Sequence, residues 1–113
     1  MNMLNSTINA TEESVGFDDY DDFVFGGVTY PSPTYAALGL SGETGEVIER
    51  IKKLYRKHGE EWTTEADYAE IEGVQDELGD VLWYVTRLCQ CLGLSLADIA
   101  QYNMEKLNAR QGR

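Results

Sequence analysis

Two pairs of carboxylates at helical spacing constrain this chain more than anything else in it. One lies in Gly42-Glu43-Thr44-Gly45-Glu46-Val47, the other in Asp76-Glu77-Leu78-Gly79-Asp80-Val81. Glu43 and Glu46, like Glu77 and Asp80, stand three residues apart, so on a helix each pair projects from neighbouring turns of one face. Like charges at that spacing repel and weaken the helix. A cation between the pairs offsets the repulsion, and four hard oxygen ligands from two facing helices suit Mg²⁺ or Mn²⁺. The pattern predicts a metal-dependent active site between two helices.

The second pair carries the stronger argument. A long helix is expected from about Glu65 to Leu92, with an apolar stripe of Ile71, Val74, Leu78, Val81, Leu82, Val85, Leu88, Cys89 and Leu92. Trp83 and Tyr84 fall off that stripe, so the middle of the helix is apolar nearly all round, as in a helix buried on several sides. Glu77 and Asp80 stand at the entrance to this stretch. Burying them without a partner would be prohibitive, so they are expected to be protonated, salt-bridged or metal-bound.

The preceding helix is expected to start at Ser32-Pro33, an N-cap followed by a proline at the first helical position. Val47, Ile48, Ile51, Leu54 and Tyr55 give it an apolar stripe, and His58-Gly59 ends it. Gly39, Gly42 and Gly45 recur every three residues. They imply close approach by another helix or a ligand, or else a helix that begins after Gly45. A short extra helix is expected near residues 63–68. After Gly93, Ser95-Leu96-Ala97-Asp98 has a capping-box pattern and opens a third helix with Leu96, Ile99, Ala100, Asn103 and Leu107 inward. Asn103 with Lys106 and Arg110 on one strip is either a phosphate-contacting set or a satisfied amide beside two solvated charges.

The chain of 113 residues is one domain in length. Residues 1–29 read as an acidic, partly ordered arm of irregular structure, and residues 30–113 as the helical domain. Phe17, Tyr20 and Phe23 to Phe25 of the arm are expected to dock on the body or to pair with Val28 to Tyr30. The net charge of −11 disfavours nucleic acid and anionic membranes as partners. It leaves metal-assisted phosphate chemistry open, because a bound divalent ion inverts the local field. The longest strictly apolar run, Val81 to Val85, is too short to span a bilayer. No basic segment followed by an apolar one suggests a signal peptide, so a cytoplasmic setting is expected. Cys89 and Cys91 read as reduced packing residues. His58 reads as a helix-end residue, since a single histidine cannot build a His-Asp metal site.

Together these residues resemble the MazG-like nucleotide pyrophosphohydrolases of the all-α NTP-pyrophosphatase superfamily. The matching stretches are Leu38-Gly-Leu-Ser-Gly-Glu-Thr-Gly-Glu-Val47, Glu77-Leu-Gly-Asp-Val-Leu-Trp-Tyr84 and Asn103-Met-Glu-Lys-Leu-Asn-Ala-Arg110. The resemblance implies an all-α bundle completed by subunit association, as a homodimer or homotetramer, with three main helices in each chain. It implies hydrolysis of a nucleoside triphosphate to the monophosphate and pyrophosphate with Mg²⁺, which Mn²⁺ can replace. Glu43, Glu46, Glu77 and Asp80 map onto the family's metal-binding carboxylates, with Glu43 a fourth ligand or the base that orients water. Lys53 maps near a family lysine associated with the phosphates, and Asn103, Lys106 and Arg110 match the nucleotide-binding tail.

Two departures stand out. The interval from Glu46 to Glu77 is long, which implies an extended inter-helix loop. The acidic arm replaces the helix that usually opens such chains and helps shape the base pocket. The compact form resembles phage-type members, including a guanine-preferring branch called MazZ, which implies the host cytoplasm as the setting. The rival reading is a non-catalytic helical oligomerisation module with a divalent-cation site.

Overall fold

The computed structural model describes residues 14–27, 32–61, 65 and 67–112. Every regular element among them is helical: α1 Phe17–Gly26, α2 Pro33–His58, a 3₁₀ turn at Gly59–Glu61, α3 Tyr68–Cys91 and α4 Leu96–Gln111. The all-α expectation holds. The main packing is α2 against α3, while α1 lies across α3 and α4.

Local chemistry sets each boundary. Ser32 Oγ accepts from the Tyr35 amide at 3.1 Å and Pro33 takes the first helical position, so α2 starts there and runs through all three glycines. Arg56, Lys57 and His58 fill its last turn, where cations meet the negative end of the helix dipole. Gly59 then turns the chain at φ 69°, a conformation that costs glycine nothing. Asp67 caps α3 by accepting from the Glu70 amide, and Ser95 caps α4 by accepting from the Asp98 amide at 3.0 Å.

Asp67 also ties the two long helices together. Lys57 Nζ donates to its Oδ2, and His58 Nε2 lies 3.2 Å from the same oxygen. The extended loop expected between the acidic pairs is therefore only residues 59–67. Most of the long interval is helix, 47–58 of α2 and 68–76 of α3. Of the extra helix expected near 63–68, residues 62–64 and 66 lie outside the described ones.

Two further expectations are corrected. The first concerns the stripes. Val47, Ile51 and Leu54 of α2 turn inward, Leu54 fully buried against Ile71, Tyr68 and Val74, but Ile48 and Tyr55 face out. On α3 the residues left off the stripe, Trp83 and Tyr84, are half-buried, whereas Leu78 and Leu82 are exposed. A helix apolar all round offers no period from which to choose its inner face. On α4 only Leu96 is buried, and Ile99, Asn103 and Leu107 are exposed.

The second correction concerns the arm, which contains α1. Val24 is fully buried and Tyr20 half-buried. Asp21 does the rest: its Oδ2 accepts from the Leu96 amide at 3.0 Å, and its Oδ1 and backbone carbonyl both accept from Gln90 Nε2, at 2.8 and 2.9 Å. An acidic residue that reads as solvated arm thus seals the first turn of α4. The expected pairing with Val28 to Tyr30 falls outside the described residues.

Asp21→Ala strands a part-buried amide of Leu96 and one N–H of Gln90, at a cost of about 1–3 kcal/mol. A melt followed by circular dichroism should fall by at least ~4 °C. Asp67 supplies a pH signature. Its bonds from Lys57 first, then from His58, hold its carboxyl down at about 2, against an ordinary 3.8. A lowered acid stabilises the fold above its unfolded value and loses that contribution as pH falls through the folded one. Asp67→Asn keeps a good N-cap but lacks this charge. Its melting temperature should lie below wild type above pH 3.8, and the two curves should converge as pH falls to about 2.

Candidate metal and nucleotide site

The antiparallel pairing of α2 and α3 sets the register of the site. A Cβ added to Gly39 would lie 2.5 Å from Tyr84 Cδ1 and Cζ, so the ring rests on bare α2 backbone. A Cβ added to Gly73 would lie 2.6 Å from Arg50 Nη1, so that guanidinium rests on bare α3 backbone. One helical turn inward from each contact lie the carboxylates. Glu43 follows Gly39 by four residues as Asp80 precedes Tyr84 by four, and the same step leads from Arg50 to Glu46 and from Gly73 to Glu77. The close contacts explain Gly39; a Cβ at Gly42 or Gly45 would meet nothing within 4 Å.

Carboxylate oxygens of Glu43, Glu77 and Asp80 all lie within 4.8 Å of one another. Glu43 and Glu77 are half-buried and Asp80 is exposed. Desolvation and then the Asp80 charge push the Glu43 carboxyl above its ordinary range, helped by a hydrogen bond to Glu77 and by the Glu77 and Glu46 charges. Glu46 is thus close enough to be felt but stands outside the trio, exposed on α2. Of the alternatives expected for Glu77, the salt bridge is present in part: Arg50 Nη2 lies 3.6 Å from Glu77 Oε1.

The predicted cations are placed unequally. Lys53 Nζ pairs with Glu70 Oε1 at 3.2 Å, and Arg50 Nη1 reaches the other Glu70 oxygen at 3.8 Å. Glu46, Glu49, Arg50, Lys53 and Arg56 line one shallow cleft of mixed charge. Asn103, Lys106 and Arg110 are exposed on α4, which packs on α1 rather than along α2, and they form no hydrogen bond or ion pair among the described residues. The chain does not bring them to its own carboxylates.

Sequence reasoning missed four neighbours of the trio. Trp83 and Tyr84 form an edge-on aromatic pair, centroids 5.1 Å apart, and with Glu43 and Asp80 they line a cleft of about 330 Å³. Tyr20 of α1 has its hydroxyl pushed up by burial and then by the Asp80 charge. Arg50 gives a signal in retrospect, standing one turn after Glu46. Tyr20 gives only the spacing of Phe17, Tyr20 and Val24.

The donor set is one that a small hard cation fits. An octahedral Mg²⁺ or Mn²⁺ with bonds of about 2.1 Å places its ligand oxygens roughly 3–4 Å apart, a short side-chain adjustment from the spread observed. All donors are carboxylate oxygens, and their mutual repulsion is visible at Glu43.

Among the described residues no helix is long and apolar enough to cross a membrane. The chain is 38% identical over 80 residues to the Gene 37 protein of Mycobacterium phage L5, a match covering 71% of this chain and 67% of that one. No solved structure matches it. The model of the MazG nucleotide pyrophosphohydrolase domain matches residues 32–113, from the N-cap of α2 to the last residue. The chain belongs to the MazG nucleotide pyrophosphohydrolase family, hydrolases that act on acid anhydrides.

Proposed function

We propose that the protein is a divalent-metal-dependent nucleoside triphosphate pyrophosphohydrolase, releasing a nucleoside monophosphate and pyrophosphate from an NTP or dNTP. The observation that carries this reading is the convergence of Glu43, Glu77 and Asp80 from two helices, with Glu43 pushed up. Glu77 and Asp80 are assigned as ligands of Mg²⁺ or Mn²⁺, with Glu46 completing the set by a rotamer change. When bound, the ion neutralises phosphate charge and lowers the pKa of water. Glu43, the remaining carboxylate of the group, is the one placed to accept the proton of the attacking water. Arg50 holds Glu77 in place from the other side. Lys53 reaches the β- and γ-phosphates by leaving Glu70.

The reading extends to a homodimer or homotetramer. Leu38 and Ile48 of α2 and Tyr102 and Met104 of α4 are each 60–68% exposed, more apolar surface than a small chain leaves in water. In such an assembly Asn103, Lys106 and Arg110 serve a neighbouring subunit's site. A guanine nucleotide, as in the guanine-preferring branch of phage-type members, is the first substrate to assay among the eight common triphosphates. The phage relative fits a host-cytoplasm setting.

Asp80→Asn should lower pyrophosphate release by more than about 100-fold. Without metal it should melt at or above the wild-type temperature, because one crowded charge is gone. With Mg²⁺ or Mn²⁺ the order should reverse. Equal destabilisation under both conditions, with no metal shift in either protein, would overturn the reading. A pH scan adds a sign. A raised acid weakens the fold when charged, so the metal-free protein should gain stability as pH falls from 7 toward the ordinary Glu43 value of 4.5. Glu43→Gln should abolish that gain.

Sedimentation at micromolar concentration should show a dimer or tetramer and no monodisperse monomer. Lys106→Ala and Arg110→Ala should each raise KM for the triphosphate about tenfold with little change in melting. Wild-type kinetics in both would reduce those cations to surface charges.

A further inference from the structure

The carboxylates divide the α2–α3 face into two unlike ends. On one side lie Arg50, Lys53 and Arg56, in a cleft they share with Glu46 and Glu49. On the other lies the cleft walled by Trp83 and Tyr84. A nucleoside triphosphate has the same polarity, with anionic phosphates at one end and a flat π-surface at the other. The end that holds the cations suits phosphate oxygens, and the aromatic end suits the face of a base. Phosphates toward Arg50 and nucleoside toward Tyr84 is the orientation that puts the anionic end beside the cations and the flat end beside the rings.

The aromatic end depends on one absent side chain. Tyr84 is half-buried, and its ring occupies the space where a residue-39 side chain would stand. Trp83 meets it edge-on. A methyl group at position 39 must push the ring off α2, either against Trp83 or into the cleft. Gly42, three residues along the same helix, has nothing within 4 Å of its Cβ position, so glycine there does no comparable work.

We infer that Gly39 is a positioning residue for the nucleoside end of the substrate: by seating Tyr84 on the α2 backbone it keeps the cleft between Tyr84, Trp83 and the carboxylates open. Gly39 touches no substrate and acts through Tyr84. The inference rests on the pyrophosphohydrolase reading above and adds the substrate's orientation and the residue that sets the width of its aromatic subsite.

The test compares Gly39→Ala with Gly42→Ala, which shares the gain in helix propensity without the clash. Binding is measured by calorimetry with two probes, an α,β-methylene nucleoside triphosphate and inorganic tripolyphosphate, and KM and kcat are measured for the best triphosphate. Gly39→Ala should weaken the nucleotide analogue and raise KM by about tenfold or more, with kcat within about threefold and tripolyphosphate binding unchanged. Gly42→Ala should match wild type throughout. In a Tyr84→Ala background, Gly39→Ala should have no further effect, since contacting residues are non-additive. Should Gly39→Ala fail to fold, Tyr84→Leu trims the same wall from α3 and should give the same nucleoside-selective loss. The inference is overturned if Gly39→Ala behaves like Gly42→Ala, adds to Tyr84→Ala, or weakens tripolyphosphate equally, or if Tyr84→Leu is silent. A wild-type protein that neither binds nor cleaves any nucleoside triphosphate overturns the functional reading itself. An active wild type with a silent Gly39→Ala overturns only the positioning role.

Discussion

The α2–α3 register holds this structure together against its own charge. Acidic residues that face one another across two helices repel, and the pairing survives because close contacts flank them. Tyr84 rests on Gly39 and Arg50 on Gly73, each a large group against bare backbone, where dispersion contacts are dense. A slide of four residues would drive the ring into Tyr35 or Glu43 and the guanidinium into Ala69 or Glu77. The carboxylates sit one turn inside each contact, so their spacing follows from shape, and their electrostatic strain is carried by packing on either side.

Charge is then sorted along that register. Five of the nine Lys and Arg residues, Arg50, Lys52, Lys53, Arg56 and Lys57, fall in the second half of α2. Of these, Arg50, Lys53 and Lys57 pair with Glu77 and Glu70 of α3 and with its N-cap Asp67, while the opposite end of the helix pair holds the buried Arg87. An overall acidic chain thereby gathers cations beside its carboxylates, where an anionic substrate needs them.

Much of this was legible in the sequence. Ser32, Pro33, Gly59 and Ser95 mark helix ends by capping chemistry that acts within a few residues, so α2 and α4 begin where their caps place them. The two acidic pairs pointed to facing helices, and Glu43, Glu77 and Asp80 do converge. What was not legible depends on partners far along the chain. Nothing local to Asp21 shows that it bonds Gln90 and Leu96, so α1 read as an acidic arm. Leu78 and Leu82 look like core because the pattern around them is apolar on every side, yet in this chain they face out. Lys53 was read toward phosphate, and its geometry gives it Glu70 first.

The Asp21 bonds to the start of α4 also bear on the order in which the chain acquires structure. The α2–α3 hairpin closes across residues 59–67, whereas Asp21 meets Leu96 at a separation of 75 residues. Loop-closure entropy rises with the logarithm of length, so the longer closure costs about 2 kcal/mol more. Contacts of low sequence separation form first in small helical domains. The hairpin, with its crowded carboxylates, is therefore expected to assemble before α1 arrives, and α1 to close over α3 and α4 late in folding. Its docking then slows unfolding more than it speeds folding, which makes the shortest helix the kinetic lock of the domain.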